Sequence, residues 1–211
     1  HLRRVQLHWS TARYAPWQEV QLLDGLADRV LDGSISEIGV SNIGPKRLAW
    51  MQQRLAERGV PLRSVQVQYS LLSPGDAKVD ALRQLCRERG IEVLAYSPLA
   101  FGVLTLPPDG ERRPRTVLQR QLLARLQPAS RSLRAVMAVI AGQRSVSMAQ
   151  VALNWCRAQG TTPIPGLRTP EQARDVAGAL QWSLTSAELD QLSMARQQCT
   201  VRTPSNPFQS A

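Results

Sequence analysis

The chain has 211 residues, 43% of them hydrophobic, and a formal net charge of +10 from 26 basic and 16 acidic residues. That length suits one domain or a large part of one, and the apolar content with moderate charge excludes a disordered polymer. No apolar run reaches the length of a membrane span, and Cys86, Cys156 and Cys199 lie too far apart for a zinc or disulfide framework, so a reduced, cytoplasmic setting is expected.

Strand-like and helix-like segments alternate along the chain, as in an α/β fold with a parallel sheet. Val5 to Trp9 reads as a first strand. A helix follows with apolar Val20, Leu23, Leu26, Ala27, Val30 and Leu31 at helical spacing and Gly33 as its stop. Glu37 to Ser41 is the second strand, and Pro45 opens a helix with Leu48, Met51 and Leu55 on one side, ended by Gly59. Val65 to Tyr69 is the third strand, with a helix over Ala77–Arg89 that stops at Gly90, and Glu92 to Tyr96 is the fourth. A long irregular stretch rich in Pro and Gly runs from Ser97 to about Pro114, and such loops are usually functional. Two helical segments come next, the second opened by the capping box Ser147-Met148-Ala149-Gln150 and closed near Gly160. Thr162 to Pro165 makes a fifth strand, Pro170 to about Ala179 its helix, and a last helix starts at Thr185 with Glu188 in the capping-box position. No internal linker interrupts this alternation, so residues 1–211 read as a single structural unit. The first residue is His1, which reads as a processed, cropped or truncated start.

The positive charge is almost all arginine, Lys46 and Lys78 being the only lysines. Arg83, Arg87, Arg89, Arg125, Arg134, Arg144 and Arg157 are scattered through helix-like segments and read as solvated faces. The one tight cluster, Arg112-Arg113-Pro114-Arg115, sits in a Pro-rich loop without interleaved aromatics, so no nucleic-acid partner is expected.

The stretch Ile164-Pro165-Gly166-Leu167-Arg168-Thr169-Pro170-Glu171-Gln172 runs from a strand through a glycine turn into a helix start. Thr169 caps that helix, Pro170 suits its first turn, and Gln172 completes the reciprocal cap. Unpaired N–H groups at the positive helix end, with Arg168 beside them, would favour a phosphate.

Parallel strands joined by helices gather functional residues at their C-terminal ends. That rule selects His8, Ser41, Asn42, Gln66, Tyr69, Tyr96, Ser97, Gly166 and Arg168. His8 beside Trp9 fits either a structural histidine or one that polarises a substrate or moves a proton. Ser41-Asn42 closes a strand as a turn or offers hydrogen bonds to a carboxamide. Tyr96 packs in a core or presents a flat face to a ring. No nucleophile elbow, Cys–His pair or metal-ligand cluster is present in the sequence.

Six short motifs occur in order: Gln6-Leu7-His8-Trp9; Gly39-Val40-Ser41-Asn42; Val65-Gln66-Val67-Gln68-Tyr69-Ser70; Ala95-Tyr96-Ser97-Pro98-Leu99-Ala100-Phe101-Gly102; Ala152-Leu153-Asn154-Trp155; and Ile164-Pro165-Gly166 with Glu171-Gln172-Ala173 and Gly178-Ala179. Each alone is weak, but together the chain resembles the C-terminal part of an aldo-keto reductase, closest to the bacterial and plastid-type reductases and the potassium-channel β subunits. The resemblance implies a partial (β/α)8 TIM barrel of about five strands, from the fourth onward, with the N-terminal strands missing. It also implies NADP(H) as cofactor, a small-molecule carbonyl as substrate, and no membrane or nucleic-acid partner. A non-catalytic NADP(H)-binding regulatory subunit is the alternative it leaves open, and the oligomeric state is left unassigned.

Carried over by position, the resemblance makes His8 the active-site histidine that orients and polarises the carbonyl. Ser41, Asn42 and Gln66 would hold the nicotinamide carboxamide, and Tyr96 would stack on its ring. Ser97, Leu99 and Gly102 would wrap the pyrophosphate. Gly166 and Arg168 follow the fifth strand, Arg168 meeting the 2′-phosphate, while Gln172 and Asp175 contact the adenosine. Three positions depart from the family pattern: Val176 replaces an Asn at the adenine, Asp175 is one methylene shorter than the usual Glu, and Ser10 replaces a Pro. The family's Asp, Tyr and Lys come from earlier strands, and only seven residues precede His8. Tyr14 and Tyr69 do not fill those places. The 211 residues alone are therefore expected to be inactive, with exposed sheet edges and unpartnered apolar inner faces on the first and fifth strands.

Overall fold

Alternating apolar residues at 38, 40, 65, 67 and 93 decide which side of each strand is covered, and the computed structural model turns all five toward helices. It describes residues 1–12, 14–75, 77–114 and 116–204, with Leu118 described without its side chain. The chain divides into two compact units, one built from residues 1–68 and 75–94, the other from 69–74 and 95–204. Among the described residues five strands form one sheet, in chain order.

In the first unit the elements are β1 (Leu2–Leu7), α1 (Pro16–Leu31), β2 (Ile35–Ser41), α2 (Pro45–Ala56), β3 (Leu62–Gln68), α3 (Ala77–Arg89) and the start of β4 (Glu92–Tyr96). Pro at the first turn starts α1 and α2, where its missing N–H costs nothing. Leu23 and Ala27 on α1, Leu48, Met51 and Leu55 on α2, and Leu82 and Cys86 on α3 are all fully buried. Each large side chain among them contributes about 1.5–3 kcal/mol by leaving water. β1 pairs in parallel with β2 (Leu7 opposite Val40), and β2 with β3 (Ser41 opposite Gln66).

β1 begins and ends earlier than Val5–Trp9. Leu2 pairs with Ile35 and its N–H reaches Ser34 O at 3.2 Å, so pairing and not periodicity sets the start. The expected apolar inner face also needs correction. Opposite the helices, the first unit carries Arg4, Gln6, Glu37, Ser64 and Gln66. Arg4 holds Glu37 and Glu92, each at 2.7 Å, and Gln6 Nε2 donates to Ser64 Oγ at 3.0 Å. Polar groups that satisfy one another replace an aliphatic layer there. That bridge lies over Gly39, where a Cβ would come within 2.7 Å of Gln6 Nε2.

The second unit holds the end of β4, a 3-10 segment at Ala100–Thr105, α4 (Val117–Ala129), α5 (Arg131–Arg144), α6 (Met148–Ala158), β5 (Thr162–Ile164), α7 (Pro170–Gly178), a 3-10 turn at Ala179–Gln181, and α8 (Ser186–Gln198). Three helices, not two, fill the span between the loop and β5. Pro128 sits in the last turn of α4, and Ser130 (φ −92°, ψ 3°) both ends α4 and starts α5. The Thr185 capping box is complete, whereas at α6 only the Ser147 half forms, because the Gln150 side chain is drawn to Asp175 and Trp182. Arg144 grips Glu188 with two bonds of 2.6 and 2.8 Å and joins α5 to α8. Arg196 donates to Leu71 O and Ser73 O at 3.2 and 3.0 Å, fixing the 69–74 segment against α8.

The arginines are not uniformly solvated. Arg87, Arg89 and Arg125 are exposed, Arg83, Arg144 and Arg157 half-buried, and Arg134 is buried. Arg115 lies outside the described residues. Among the described residues all three cysteines are free and buried, no group of His, Cys, Asp and Glu could hold a metal ion, and no single helix is long and apolar enough to cross a membrane.

Candidate functional site

In the first unit the strand ends bring His8, Ser41, Asn42 and Gln66 together. Asn42 Nδ2 donates to His8 O at 3.1 Å and to Ser41 Oγ at 3.0 Å, while Ser41 Oγ–H donates to Gln66 O at 3.1 Å. The Asn42 N–H also reaches Gln66 O, at 2.9 Å. This arrangement braces the tips of β1, β2 and β3. Asn42 adopts φ 58°, a left-handed conformation that Asn tolerates better than most residues. The hydroxyl proton of Ser41 and the Nδ2 group of Asn42 already have partners, so the pair is a structural brace first. The His8 ring is exposed and stacks on Trp9 with centroids 4.3 Å apart. Trp9 is steadied by Nε1–H donation to Tyr14 Oη at 3.0 Å.

In the second unit Tyr96 is half-buried at the end of β4, and its carbonyl accepts from Tyr69 N–H at 3.2 Å. The loop beyond it is coiled by left-handed residues: Ser97 (φ 53°), Ala100 (φ 47°), Phe101 (φ 59°) and Gly102 (φ 84°). Three of these four are not glycine, and such strain collects at ligand-binding segments. Thr105 Oγ1 donates to Gly102 O at 2.9 Å and holds the coil.

This loop forms one wall of a cavity of about 510 Å³, and the segment from Gly166 to Val176 forms another. Ser97, Leu99, Gly102, Gly166, Arg168, Gln172 and Asp175, picked out from the sequence, all line it. Arg112, Ser147 and Val176 line it too. Arg112 crosses the loop: its Nη1 donates to Phe101 O at 3.1 Å, and a Cβ at Gly102 would collide with its guanidinium. In the sequence it belongs to the cluster Arg112-Arg113-Pro114-Arg115, which has no interleaved aromatics. Ser147 was visible only as a helix cap.

Two expectations change here. The start of α7 is not an open anion seat: Gln172 N–H is bound by Thr169 Oγ1 at 3.3 Å, and Arg168 N–H by Gln172 Oε1 at 2.8 Å. The Gln172 side chain thus reaches one residue beyond the cap it was expected to complete. The N–H of Glu171 itself and the Thr169 side chain also hold the Glu171 carboxyl below the usual range. Positive charge at this end comes from the exposed Arg168 side chain. Asp175, in turn, accepts from Ser147 Oγ at 2.8 Å and Gln150 Nε2 at 3.0 Å, which ties α7 to the start of α6.

The cavity's donor set suits one kind of guest. Two guanidinium groups from separate segments match separated anionic groups, and Leu99, Leu167 and Val176 supply an apolar wall for a ring. A dinucleotide has that chemistry, and the residues present fit it.

A family model described as "Aldo/keto reductase family" matches residues 2–196. The chain is 43% identical over 208 residues to the chloroplastic pyridoxal reductase of Arabidopsis thaliana, covering 97% of this chain and 56% of that protein. It is 33% identical over 184 residues to an uncharacterized oxidoreductase of Mycobacterium tuberculosis, covering 82% of this chain and 53% of the other. The chain thus spans about half the length of the curated relatives it matches. Among solved structures, the thermostable aldo-keto reductase Tm1743 with the inhibitor epalrestat superposes with a TM-score of 0.67 at 21% identity, over 92% of this chain and 59% of that one. A mutant of Gox0644 in complex with NADPH gives 0.66 at 18% identity, over 92% and 58%. At such identities these two structures speak for the α/β fold.

Proposed function

The chain belongs to the aldo/keto reductase family, and we propose that it supplies the NADP(H)-binding part of a reductase acting on an aldehyde or ketone. The observation that carries this is the second-unit cavity, where seven residues chosen from sequence, Arg168 among them, meet Arg112. Ser97, Leu99, Gly102 and Arg112 would hold the pyrophosphate, and Arg168 the 2′-phosphate. Gln172 and Val176 would face the adenosine, with Asp175 holding Ser147 in place beside it. Tyr96 would present its ring to the nicotinamide; taken by itself, the first unit's Ser41, Asn42 and Gln66 carry polar groups of the kind a carboxamide takes. When bound, the cofactor supplies a hydride equivalent for a carbonyl carbon.

His8 would donate an imidazole N–H to the carbonyl oxygen, its ring held by Trp9. The family resemblance assigns three more groups to the reaction, Asp, Tyr and Lys, and the 211 residues carry none at matching positions. The sequence reads as the fourth to eighth strands of a (β/α)8 barrel. Pyridoxal, named for the Arabidopsis relative, is the first substrate to try. The regulatory-subunit alternative is not carried forward, because the relatives named are reductases and oxidoreductases.

The test is a fluorescence titration of the 211-residue protein with NADPH and NADH, followed by an assay with pyridoxal. Saturable binding with at least about a tenfold preference for NADPH is expected from one charge-assisted phosphate contact. No turnover is expected. Equal affinity for the two nucleotides would remove Arg168 from its role, and turnover of pyridoxal by this chain alone would overturn the assignment of the missing groups.

A further inference from the structure

Arg134, near the start of α5, is the charged group hardest to explain by solubility. It is 2% exposed, and its Nε has no hydrogen-bond partner. Its fork instead serves three main-chain carbonyls: Pro107 O at 2.5 Å, Gly110 O at 3.0 Å and Gln127 O at 2.8 Å. Burying a guanidinium this way is costly, so the three carbonyls must gain a definite position from it. Two of them belong to the loop segment 107–112. Gln127, whose carbonyl is the third, turns its side chain to the same segment, where Oε1 accepts from Arg112 N–H at 2.5 Å. The neighbouring acid, Asp109, pairs with Arg131.

Both ends of a short strap are therefore fixed. Arg134 ties the turn at Pro107 and Gly110, and Gln127 fixes the backbone of Arg112. The Arg112 side chain then runs to Phe101 O and over Gly102, into the wall of the cavity. We propose that Arg134 and Gln127 are positioning residues that hold the 107–112 strap so that Arg112 is presented to an anionic group of the bound nucleotide. This inference rests on the cofactor reading above and adds to it the device that sets the geometry of one of its two arginines. Lysine cannot replace Arg134, because a single ammonium does not reproduce a planar fork spanning three carbonyls.

The experiment is a set of variants of the 211-residue protein, R112A, Q127L, Q127E, R134K and R134M, each titrated with NADPH and melted without it. R112A is expected to weaken NADPH about tenfold, the worth of one charge-assisted contact. Q127L, which removes the acceptor for Arg112 N–H, should weaken binding severalfold. Q127E, which keeps an acceptor oxygen there, should restore it. R134K and R134M should both weaken binding. Placed on R112A, neither Q127L nor R134M should weaken it further, because each acts through Arg112. Losses that add to R112A and follow the melting temperature would mark a merely structural role and overturn the inference, as would parent-like affinity in Q127L. Parent protein that does not bind NADPH would overturn this inference and the cofactor reading together. Binding that R134M and Q127L leave intact would overturn this inference alone.

Discussion

Gly102→Ala tests the loop where backbone strain and side-chain placement meet. Gly102 sits at φ 84° and ψ 4°, in the left-handed region. An L-residue there costs about 1–2 kcal/mol. The added Cβ also falls on the guanidinium of Arg112, which must move and give up its 3.1 Å bond to Phe101 O. That bond is worth about 1.5–3 kcal/mol if charge-assisted and fully retained, and about half as much at a solvent-facing site. Together these give about 2–3 kcal/mol of lost stability, or about 4–12 °C in melting temperature for a chain this size. NADPH affinity should fall about tenfold with the displaced arginine. Thermal unfolding by circular dichroism and NADPH titration measure the two effects, and G102A with R112A should bind no worse than R112A. A G102A protein with parent affinity and parent stability would refute the link between this glycine, Arg112 and the cavity.

Glu188 gives a pH test. The Arg144 fork first, then the Thr185 N–H and hydroxyl, hold its carboxyl at about 2 against an ordinary 4.5. A depressed folded pKa means the stabilisation is complete above about 4.5 and is lost as pH falls toward about 2. Allowing for solvent screening, E188Q should be about 1 kcal/mol less stable than the parent at neutral pH. In urea melts that gap should close between these two pH values, and a gap constant with pH would contradict the assignment. Gly39→Ala should break the Gln6–Ser64 bridge and overpack the polar face, costing about 1–3 kcal/mol. Replacing Ser64 with Gly in the same protein should recover part of that loss, and no recovery would show that the bridge is not what excludes a Cβ.

Much of the architecture was legible because local signals and packing agree. Glu92–Tyr96 and Ala77–Arg89 have the boundaries their patterns indicate, since Gly90 terminates the helix and a short apolar run follows it. The offset of β1 was not legible, because pairing to Ile35 extends it through Leu2 and Arg3, which show no alternation. The α4–α5 break was hidden by continuous helical periodicity across Pro128. In the candidate site, the cavity residues came from motif order. Gly102 was visible in the sequence, but the left-handed conformations of Ser97, Ala100 and Phe101 were not, since such residues rarely adopt them. Gln150 and Gln172 matched capping patterns, yet their side chains found other partners, which short spacing rules do not register. Arg134 was missed because an arginine on a helix is ordinarily solvated, and only tertiary structure reveals carbonyls waiting for its fork.

Calorimetric titration of the 211-residue protein with 2′,5′-ADP, in the parent and in R168Q, addresses the cavity itself. The fragment carries the adenosine and both of its phosphates without the nicotinamide, so only the second-unit groups are tested. Saturable binding by the parent, weakened about tenfold in R168Q, is the expected result. No heat of binding in the parent, or equal binding in R168Q, would contradict the assignment of this cavity to a phosphate-bearing nucleotide.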